Sequence, residues 1–572
     1  MHLGIDFGTS YTKLGYWEDD HFTNLAGSEQ RIPSVVAWLP SQPGLFFGNR
    51  AYRLEEPGAV RVGFFKLALK RNPDFTLGAF TLPHIMREFF NFLKQNYLAC
   101  VSLKPLESIS LSVPNYFGLN SRRILLEAAR KVFGVKNIYL LPEPVAAVSG
   151  YNYSHPDNPL QGDILSIDIG GGTSDFSFLR LMQDSREILL ETQLQIGHDA
   201  FSGLEIDRNI LHHIFFPGYH MQHGETLPET FWTENFNSSR DKYIFNQLMM
   251  QAEKFKIAMS CREQCSLDIP DFYRGKSLQL KIDQNMFILQ LHDVFERLQI
   301  FLTESLKTRA QNLGLYNGQH WQLDYVLLQG GASRCHGVRE MIEEFFTGVM
   351  VIQPEDVDFN VVRGLSLWNE SMAASSRVKS IYPFQFYIAR LDPLNKNPDL
   401  EKIKFDTSNL ELDIRGRYKI FSFSPDSNYN LAVDNGMVSC KIYEVEEADN
   451  HVELARFQGQ ELVWRLESLR EQAPQTVNIY LDMANSQLAS SDIAEAMPGG
   501  ESKHSELLKN YLLSEQIALG WISSYPLARQ PLLSDFKSHL SKQEVKADLP
   551  WHHHAQTTRY KLLCLLDFLT RS

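Results

Sequence analysis

Cysteine is scarce in this chain. Six residues, Cys100, Cys261, Cys265, Cys335, Cys440 and Cys564, are spread over 572 positions. They are too few to staple a chain of this length and point to a reducing compartment. Cys261 and Cys265 are four apart, as one helical face requires, but no further Cys or His stands nearby at ligand spacing, so no metal site is expected there. Long apolar runs are missing as well. No stretch approaches the roughly 18 residues of a membrane-spanning helix. The first residues enter a strand pattern without a charged leader or an apolar h-region. Neither a membrane partner nor a signal peptide is expected, and the expected location is the cytoplasm. Basic patches are lacking too. Lys and Arg number 55 against 68 Asp and Glu, a net charge of −13, and the two signs are interleaved rather than blocked. That balance argues against a nucleic-acid partner. It leaves room for a small anion, because backbone amides can hold phosphate without any side-chain charge.

What is present is ordinary for a large globular protein: 44% hydrophobic and 22% charged residues, enough for three or four domains of about 150 residues. "HLGIDFG", "YTKLGYW" and "SVVAWLP" alternate as strands, and "FTLPHIMREFFNFLKQNYLACV" carries apolar residues at helical spacing. "SISLSVPNYF" predicts a buried strand ending at Pro114, and "SRRILLEAARKVFG" a helix closed by Gly134. "NIYLLPEPVAAVSGYNY" predicts a strand, a proline-bounded turn at Glu143 and a helix of small residues. Further on, "KYIFNQLMMQAEKFKIAMS" predicts a helix and "MFILQLHDVFERLQIFLTESLKTRAQNLG" one long helix ending at Gly314. "LDYVLLQGGASRCHGVREMIEEFFTG" predicts strand, Gly-Gly turn and helix. From Tyr382 to about Leu488, "FQFYIARLD", "YKIFSFSPD", "MVSCKIYEVEE" and "TVNIYLDMA" are strand-like. "MPGGESKHS" reads as a linker to a helical tail.

One pattern occurs twice. "LGIDFGTSYTKLGYW", Leu3 to Trp17, and "GDILSIDIGGGTSDFSF", Gly162 to Phe178, both place Ile-Asp, an apolar residue and a Gly-Thr turn between two strands. Glycine at such a turn lets backbone N–H groups approach a phosphate. The Asp at the strand end can hold a hydrated Mg²⁺. Two such turns suggest two pseudo-symmetric lobes closing on one nucleotide.

Around these turns, "GIDFGTSYT", "FFKLALKR", "SVPNYFGLNSRR", "LLPEPVAA", "IDIGGGTSDFSF" and "LLQGGASR" follow in an order and spacing that resembles the DnaK-type chaperones, the heat-shock protein 70 family. The resemblance covers residues 1 to about 375. It implies an α/β fold: a two-lobed actin-like ATPase domain with duplicated sheet-and-helix lobes, followed by a β-rich region and a helical C-terminal region. It implies ATP/ADP and Mg²⁺ as ligands, with K⁺ as a further candidate ion. Asp6 and Asp168 resemble the carboxylates that hold Mg²⁺ through its waters. Gly8, Thr9, Ser10 and Tyr11 resemble the first phosphate loop, and Gly170, Gly171, Gly172 and Thr173 the second. Lys66 resembles the lysine beside the γ-phosphate and Glu143 the carboxylate near metal and attacking water. With Asp168, Thr173 and Asp175 they make up the implied catalytic set. Gly330, Gly331, Ser333 and Arg334 resemble the adenosine loop, and Glu253 and Lys256 the helix that contacts ribose and base. Pro114 and Arg122 match positions that relay the nucleotide state. Taken singly, Lys66 would read as a solvated surface lysine, Glu143 as a helix cap and Arg122 as a surface arginine.

Two features depart from the family pattern. The second adenine-stacking arginine is replaced by Ile257, which forfeits a guanidinium–π contact worth about 0.5–2 kcal/mol. The leucine-rich interdomain linker has no counterpart in "SMAASSRVKSIYPF". The expected domains are an ATPase domain at 1–376, a β-rich client or interaction domain at 382–490 and a helical region at 501–572. The expected function is a slow Mg²⁺-ATP hydrolase whose nucleotide state regulates a protein-binding region, with a protein client and a co-chaperone or exchange factor as partners. An actin-like filament or partition protein, a small-molecule kinase and a nucleotide-sensing scaffold are the alternatives. His552, His553 and His554 in "WHHHAQ" read as polar surface rather than a metal site.

Overall fold

Alternation in the first residues decides the first sheet. Leu3, Ile5 and Phe7 of β1 (His2–Phe7) are fully buried on one side. The chain returns antiparallel as β2 (Tyr11–Glu18), with Asp6 opposite Lys13 and Phe7 opposite Thr12. β3 (His21–Asn24) follows antiparallel, while β4 (Ser108–Val113) and β5 (Asn137–Pro142) extend the other edge in parallel. The order is β5-β4-β1-β2-β3. The second half repeats it. β6 (Gly162–Ile169) pairs antiparallel with β7 (Ser174–Gln183), which pairs with β8 (Ile188–His198). β9 (Tyr325–Gln329) and β10 (Met350–Ile352) run parallel on the far side. The order β10-β9-β6-β7-β8 repeats that path, and each sheet has a sixth strand: Ile32–Pro33 pairs antiparallel with β2 in the first, and β11 (Ser376–Lys379) lies parallel to β8 at the edge of the second. The chain is thus α/β with duplicated lobes, as the repeated turn implied.

The computed structural model describes residues 1–379 apart from 28–29, 55, 57, 64, 72–73, 99–104, 115–116, 184–187, 199–200, 237, 370–371 and 373–375, and beyond them nine strands between 384 and 498. These residues fall into two compact units, one from 1–117 and 121–381, the other from 118–120 and the strands after 382.

Each sheet has its own core. Leu3, Ile5 and Phe7 pack with Phe89 and Phe90 of the helix Leu82–Leu93 and with Leu125 and Ala129 of Leu119–Phe133. Ile167, Phe176 and Phe178 pack with Ile206 of Gly203–Ile210, Phe255 of Ser239–Cys261 and Leu298 of His292–Ile300. Each such side chain stabilises the fold by about 1.5–3 kcal/mol. Val145 and Val148 of the helix Glu143–Ser154 and Val361 and Leu365 of Asn360–Leu367 form a third cluster with Ile164 and Leu327. Those two helices cross at their glycines. A Cβ on Gly364 would overlap the Ala146 carbonyl, and one on Gly150 the Asn360 carbonyl.

The serines of "SISLSV" explain how β4 is buried on both faces. Ile109, Leu111 and Val113 enter the first core, and the serines face the helix Asn360–Leu367 and the cleft. Ser110 Oγ donates to the Trp368 carbonyl at 2.8 Å, and Ser112 Oγ to Asp6 Oδ1 at 3.0 Å. Ser108 Oγ lies 2.7 Å from His2 Nδ1, and His2 Nε2 lies 3.0 Å from the Leu365 carbonyl. Burial lowers the His2 pKa from 6.5 to about 4, although the Leu365 bond opposes it. Neutral His2 therefore favours the folded state above pH 6.5. As pH falls from 6.5 towards 4 the unfolded chain takes up the proton first and this stability is lost, about 2 kcal/mol by pH 5. In urea titrations at pH 7 and pH 5, His2→Asn should show an acid loss smaller by that amount. Equal losses would refute the assignment.

The following readings need correction. The long helix ending at Gly314 is interrupted: Gln284–Gln290 and His292–Ile300 meet at Leu291, whose φ of −98° and ψ of 12° leave the helical region. The break turns the fully buried Leu291 into the second core. Cys261 and Cys265 do not share a helical face, since Cys261 ends its helix and Cys265 lies in the strand Gln264–Tyr273. Arg122 is not on the surface. It is 4% exposed, and its Nε donates to the Phe117 carbonyl at 2.8 Å.

Beyond residue 382 all four sequence-predicted strands are found: Phe384–Leu391, Tyr418–Phe423, Met437–Glu446 and Val477–Asp482. The first and third lie in a six-stranded sheet, the second and fourth in a three-stranded one. The larger sheet runs past residue 490. Glu495–Pro498 pairs with Gln458–Arg465 as an edge strand, so the linker reading fails at Met497 and Pro498. Proline is tolerated there because it ends an edge strand. The helical region at 501–572, with His552, His553 and His554, lies outside the described residues.

Candidate active site

The two turns face each other. A Cβ on Gly171 would overlap Ser10 Oγ, and one on Gly172 would lie 2.9 Å from Thr9 Cγ2, so the loops touch where both are smallest. The first loop is pinned from below: Ser34 N donates to the Ser10 carbonyl and Ser34 Oγ to the Gly8 carbonyl, both at 2.8 Å. The second is closed by Gly170 N on the Thr173 carbonyl at 2.9 Å. It is also tied to the start of the helix Gly203–Ile210, where Gly203 N and Leu204 N donate to the Gly170 and Gly171 carbonyls at 2.9 and 2.7 Å. Between the loops lies a cleft of about 530 Å³, within the range that encloses an organic ligand.

Acidic side chains converge on its floor. Asp6, Asp168, Asp175 and Glu143 all line the cleft. Asp6 is 5% exposed and holds Lys13 Nζ at 3.0 Å on Oδ2. Lys13 loses some basicity to burial, but attraction to Asp6, Asp358 and Asp168 outweighs that and raises its pKa. Asp168 sits opposite Asp175 in the β6–β7 register. Burial, followed by repulsion from Glu143, Asp175 and Asp6, pushes its carboxyl well above the ordinary range. Thr173 Oγ1 donates to Asp175 Oδ2 at 3.2 Å. A buried carboxylate among three other acids is relieved by a cation, so this donor set fits Mg²⁺. The bare loops fit phosphate.

Lys66 is 2% exposed, far from the solvated lysine it would be by itself. Its Nζ lies 2.8 Å from Glu143 Oε1, and 5.6 and 5.9 Å from the ring centres of Phe7 and Phe117. Glu143 opens its helix directly after Pro142 and points at Lys66 rather than capping backbone.

The other wall carries Gly330, Gly331, Arg334, Glu253, Lys256 and Ile257. Gly330 has φ +80°, a conformation glycine adopts without strain. Ser333 Oγ donates to the Gly330 carbonyl at 2.7 Å. Arg334 is held by Asp358 at 3.3 Å and by the Glu355 carbonyl. Lys256 Nζ is spent on Asp207 at 2.8 Å and the Gly203 carbonyl at 3.0 Å. Tyr11 turns its hydroxyl to Glu253 Oε1 at 3.0 Å, and Tyr52 donates to Oε2 at 3.4 Å. Burial, then the Glu253 charge, raises the pKa of both phenols, Tyr52 to about 12. Ile257 is 42% exposed and lines the cleft, where its apolar side chain adds no charge.

Of the residues assigned to the catalytic set, the phosphate loops and the nucleoside wall, all but Gly172 and Ser333 line this cleft, and the relay positions Pro114 and Arg122 do not. Gly172 and Ser333 lie behind it, Gly172 against Thr9 and Ser333 closing the Gly330 turn. Pro114 is buried, and its carbonyl accepts from Phe117 N at 3.2 Å. Sequence reasoning missed Lys13, Gly203 and Asp358. Lys13 was within reach, since a four-residue loop puts it opposite Asp6. Gly203 and Asp358 sit in no motif.

Two lobes of identical strand order, with paired glycine turns and strand-end carboxylates across a cleft, define the actin-like ATPase fold. Within that class, residues 76–378 match the family described as Hsp70 protein. The chain belongs to the Hsp70 family. It is 24% identical over 364 residues to the chaperone protein DnaK of Elusimicrobium minutum (strain Pei191), an alignment covering 60% of this chain and 53% of that protein. The chain therefore spans about half the length of the curated relative it matches, and at this identity it is a divergent member. Among the described residues no helix is long and apolar enough to cross a membrane.

Proposed function

We propose that the first unit binds Mg²⁺-ATP in the cleft and hydrolyses it slowly, and that the nucleotide state regulates protein binding by the region after residue 382. The observation that carries the reading is the pair of touching glycine loops with Asp6 and Asp168 at the same strand position beneath them. Gly8, Thr9 and Ser10 would cradle phosphate from one lobe, and Gly170, Gly171 and Thr173 from the other. Mg²⁺ held through water by the carboxylates would neutralise charge developing on the phosphates. Lys66, fixed by Glu143, would stabilise the terminal phosphate, and Glu143 and Asp175 would orient the attacking water. Arg334, Ile257, Glu253 and Lys256 form the wall for the nucleoside.

The domain assignment belongs to the same proposal: an ATPase domain at 1–376, a protein-binding β region from 382 and a helical region at 501–572. A protein client, with a co-chaperone or exchange factor, is the proposed partner set. Phosphate release by the purified chain tests the catalytic clause. Turnover below about one per second that disappears in Asp168→Ala supports it. The same rate in both proteins would assign the activity to a contaminant.

A further inference from the structure

The repeated strand order gives each strand-end aspartate a neighbour on the adjacent parallel strand. In the first sheet that neighbour is Ser112. β4 pairs with β1 as far as Leu111 opposite Ile5, which brings Ser112 level with Asp6, and Ser112 Oγ donates to Asp6 Oδ1 at 3.0 Å. β9 takes the place of β4 in the second sheet, and the residue opposite Asp168 is Gln329. We propose that Gln329 is the positioning residue of the second lobe: its amide N–H group donates to the Asp168 carboxylate and holds it in the orientation that receives a divalent cation. The assignment rests on the nucleotide reading above and deepens its metal clause.

Placement is the first support. Val326 and Leu328 enter the second core with Leu165 and Ile167, while Leu327 joins the third cluster with Ile164. Alternation therefore sets Gln329 on the face that carries Ser166 and Asp168. Neighbouring strands lie about 4.8 Å apart, a gap that an amide on a three-torsion stem can cross. The carboxylate lies over the end of β9, since a Cβ on Gly330 would overlap Asp168 Oδ1. Unmet bonding capacity on both sides is the second support. Gln329 is fully buried, and among the described residues neither Nε2 nor Oε1 has a partner. A buried amide left in that state is costly, and an apolar side chain of similar bulk would avoid the penalty. Asp168 likewise accepts no hydrogen bond among the described residues, whereas Asp6 accepts from both Ser112 and Lys13. The third support is charge. Asp168 is surrounded by Glu143, Asp175 and Asp6. A neutral donor beside it fixes the carboxylate without cancelling the charge that a cation needs.

The test is calorimetric titration of the full chain with ADP, in EDTA and in Mg²⁺, together with thermal melting of the ligand-free protein. Gln329→Met keeps the length and bulk of the side chain and removes the donor. It should leave metal-free ADP affinity unchanged and cut the Mg²⁺-dependent gain in affinity by about tenfold to a hundredfold. The ligand-free melting temperature should stay equal or rise, because a buried amide without partners is gone. Gln329→Leu should behave the same way and replaces the methionine variant if that one does not fold. Asp168→Asn should remove most of the gain by itself. Adding Gln329→Met to it should remove nothing further, because the amide acts through that carboxylate. A Gln329→Met protein that keeps the full gain overturns the assignment and leaves the nucleotide reading standing. An equal loss with and without metal does the same, since Gln329 would then only shape the cleft. Further loss in the double variant would show that the amide acts elsewhere and would overturn it too. An unaltered chain that binds ADP in neither condition defeats the nucleotide reading and this assignment with it.

Discussion

Lys66→Met is expected to slow phosphate release by about a hundredfold to a thousandfold, the usual effect of deleting one preorganised donor. The ammonium is fixed on several sides. Glu143 Oε1 holds it at 2.8 Å, and the rings of Phe7 and Phe117 lie 5.6 and 5.9 Å away. A charge held this way needs no reorganisation as negative charge develops, which is where its advantage over a mobile surface lysine lies. Methionine keeps the length and bulk of the stem against Phe7, so the variant removes the charge and little else. It also leaves Glu143 beside Asp168 and Asp175 without its counter-ion, which should lower stability by roughly 2 kcal/mol. Adding Glu143→Gln separates the two effects. The double variant should regain most of the melting temperature and none of the turnover. If turnover returned with stability, Lys66 would be a charge balance for Glu143 and not part of the chemistry.

The site was legible because its parts are local. A hairpin ending in Asp-x-Gly needs only one turn of sequence to specify its backbone, and β1–β2 and β6–β7 each fold from adjacent residues. The same locality made Lys13 recoverable, since the loop length fixes the register. Asp358 and Gly203 reach the cleft from far along the chain, and no spacing rule connects them to it. Tyr11 shows the limit from the other side. Its place beside the first loop was readable, but its hydroxyl is taken by Glu253, 242 residues later.

Fold errors have the same origin. Nothing in "QLHDV" marks a helix break, as neither glycine nor proline is present; the break at Leu291 follows from burying that side chain in the second core. The segment around Arg377 carries no leucines and no strand was assigned to it. It nevertheless forms β11, because a parallel edge strand needs backbone donors and acceptors first and one apolar contact second, here Val378 against the third cluster.

A loss of stability that involves no charge is expected from Gly364→Ala. Helix propensity alone favours the change by about 1 kcal/mol, and φ at this glycine is not positive, so alanine meets no backbone strain. Against that stands the crossing of Asn360–Leu367 over Glu143–Ser154. The added Cβ would overlap the Ala146 carbonyl and lie 2.9 Å from Gly150 N. Both obstacles are backbone, so no rotamer change relieves them and the helices must separate. Overpacking costs about 1–3 kcal/mol where side chains can yield; here the upper end should apply, for a net loss of roughly 2 kcal/mol after the propensity gain. Gly63→Ala is the control, with φ again not positive and nothing within 4 Å of the new Cβ, and should be neutral to within about 0.5 kcal/mol. Urea titration measures both. Because Glu143 begins one of the crossing helices, Gly364→Ala should also lower turnover, through displacement of the partner that holds Lys66. A Gly364→Ala protein as stable as the unaltered chain would mean that the two helices have room to slide, and that the junction of the lobes is looser than their contact implies.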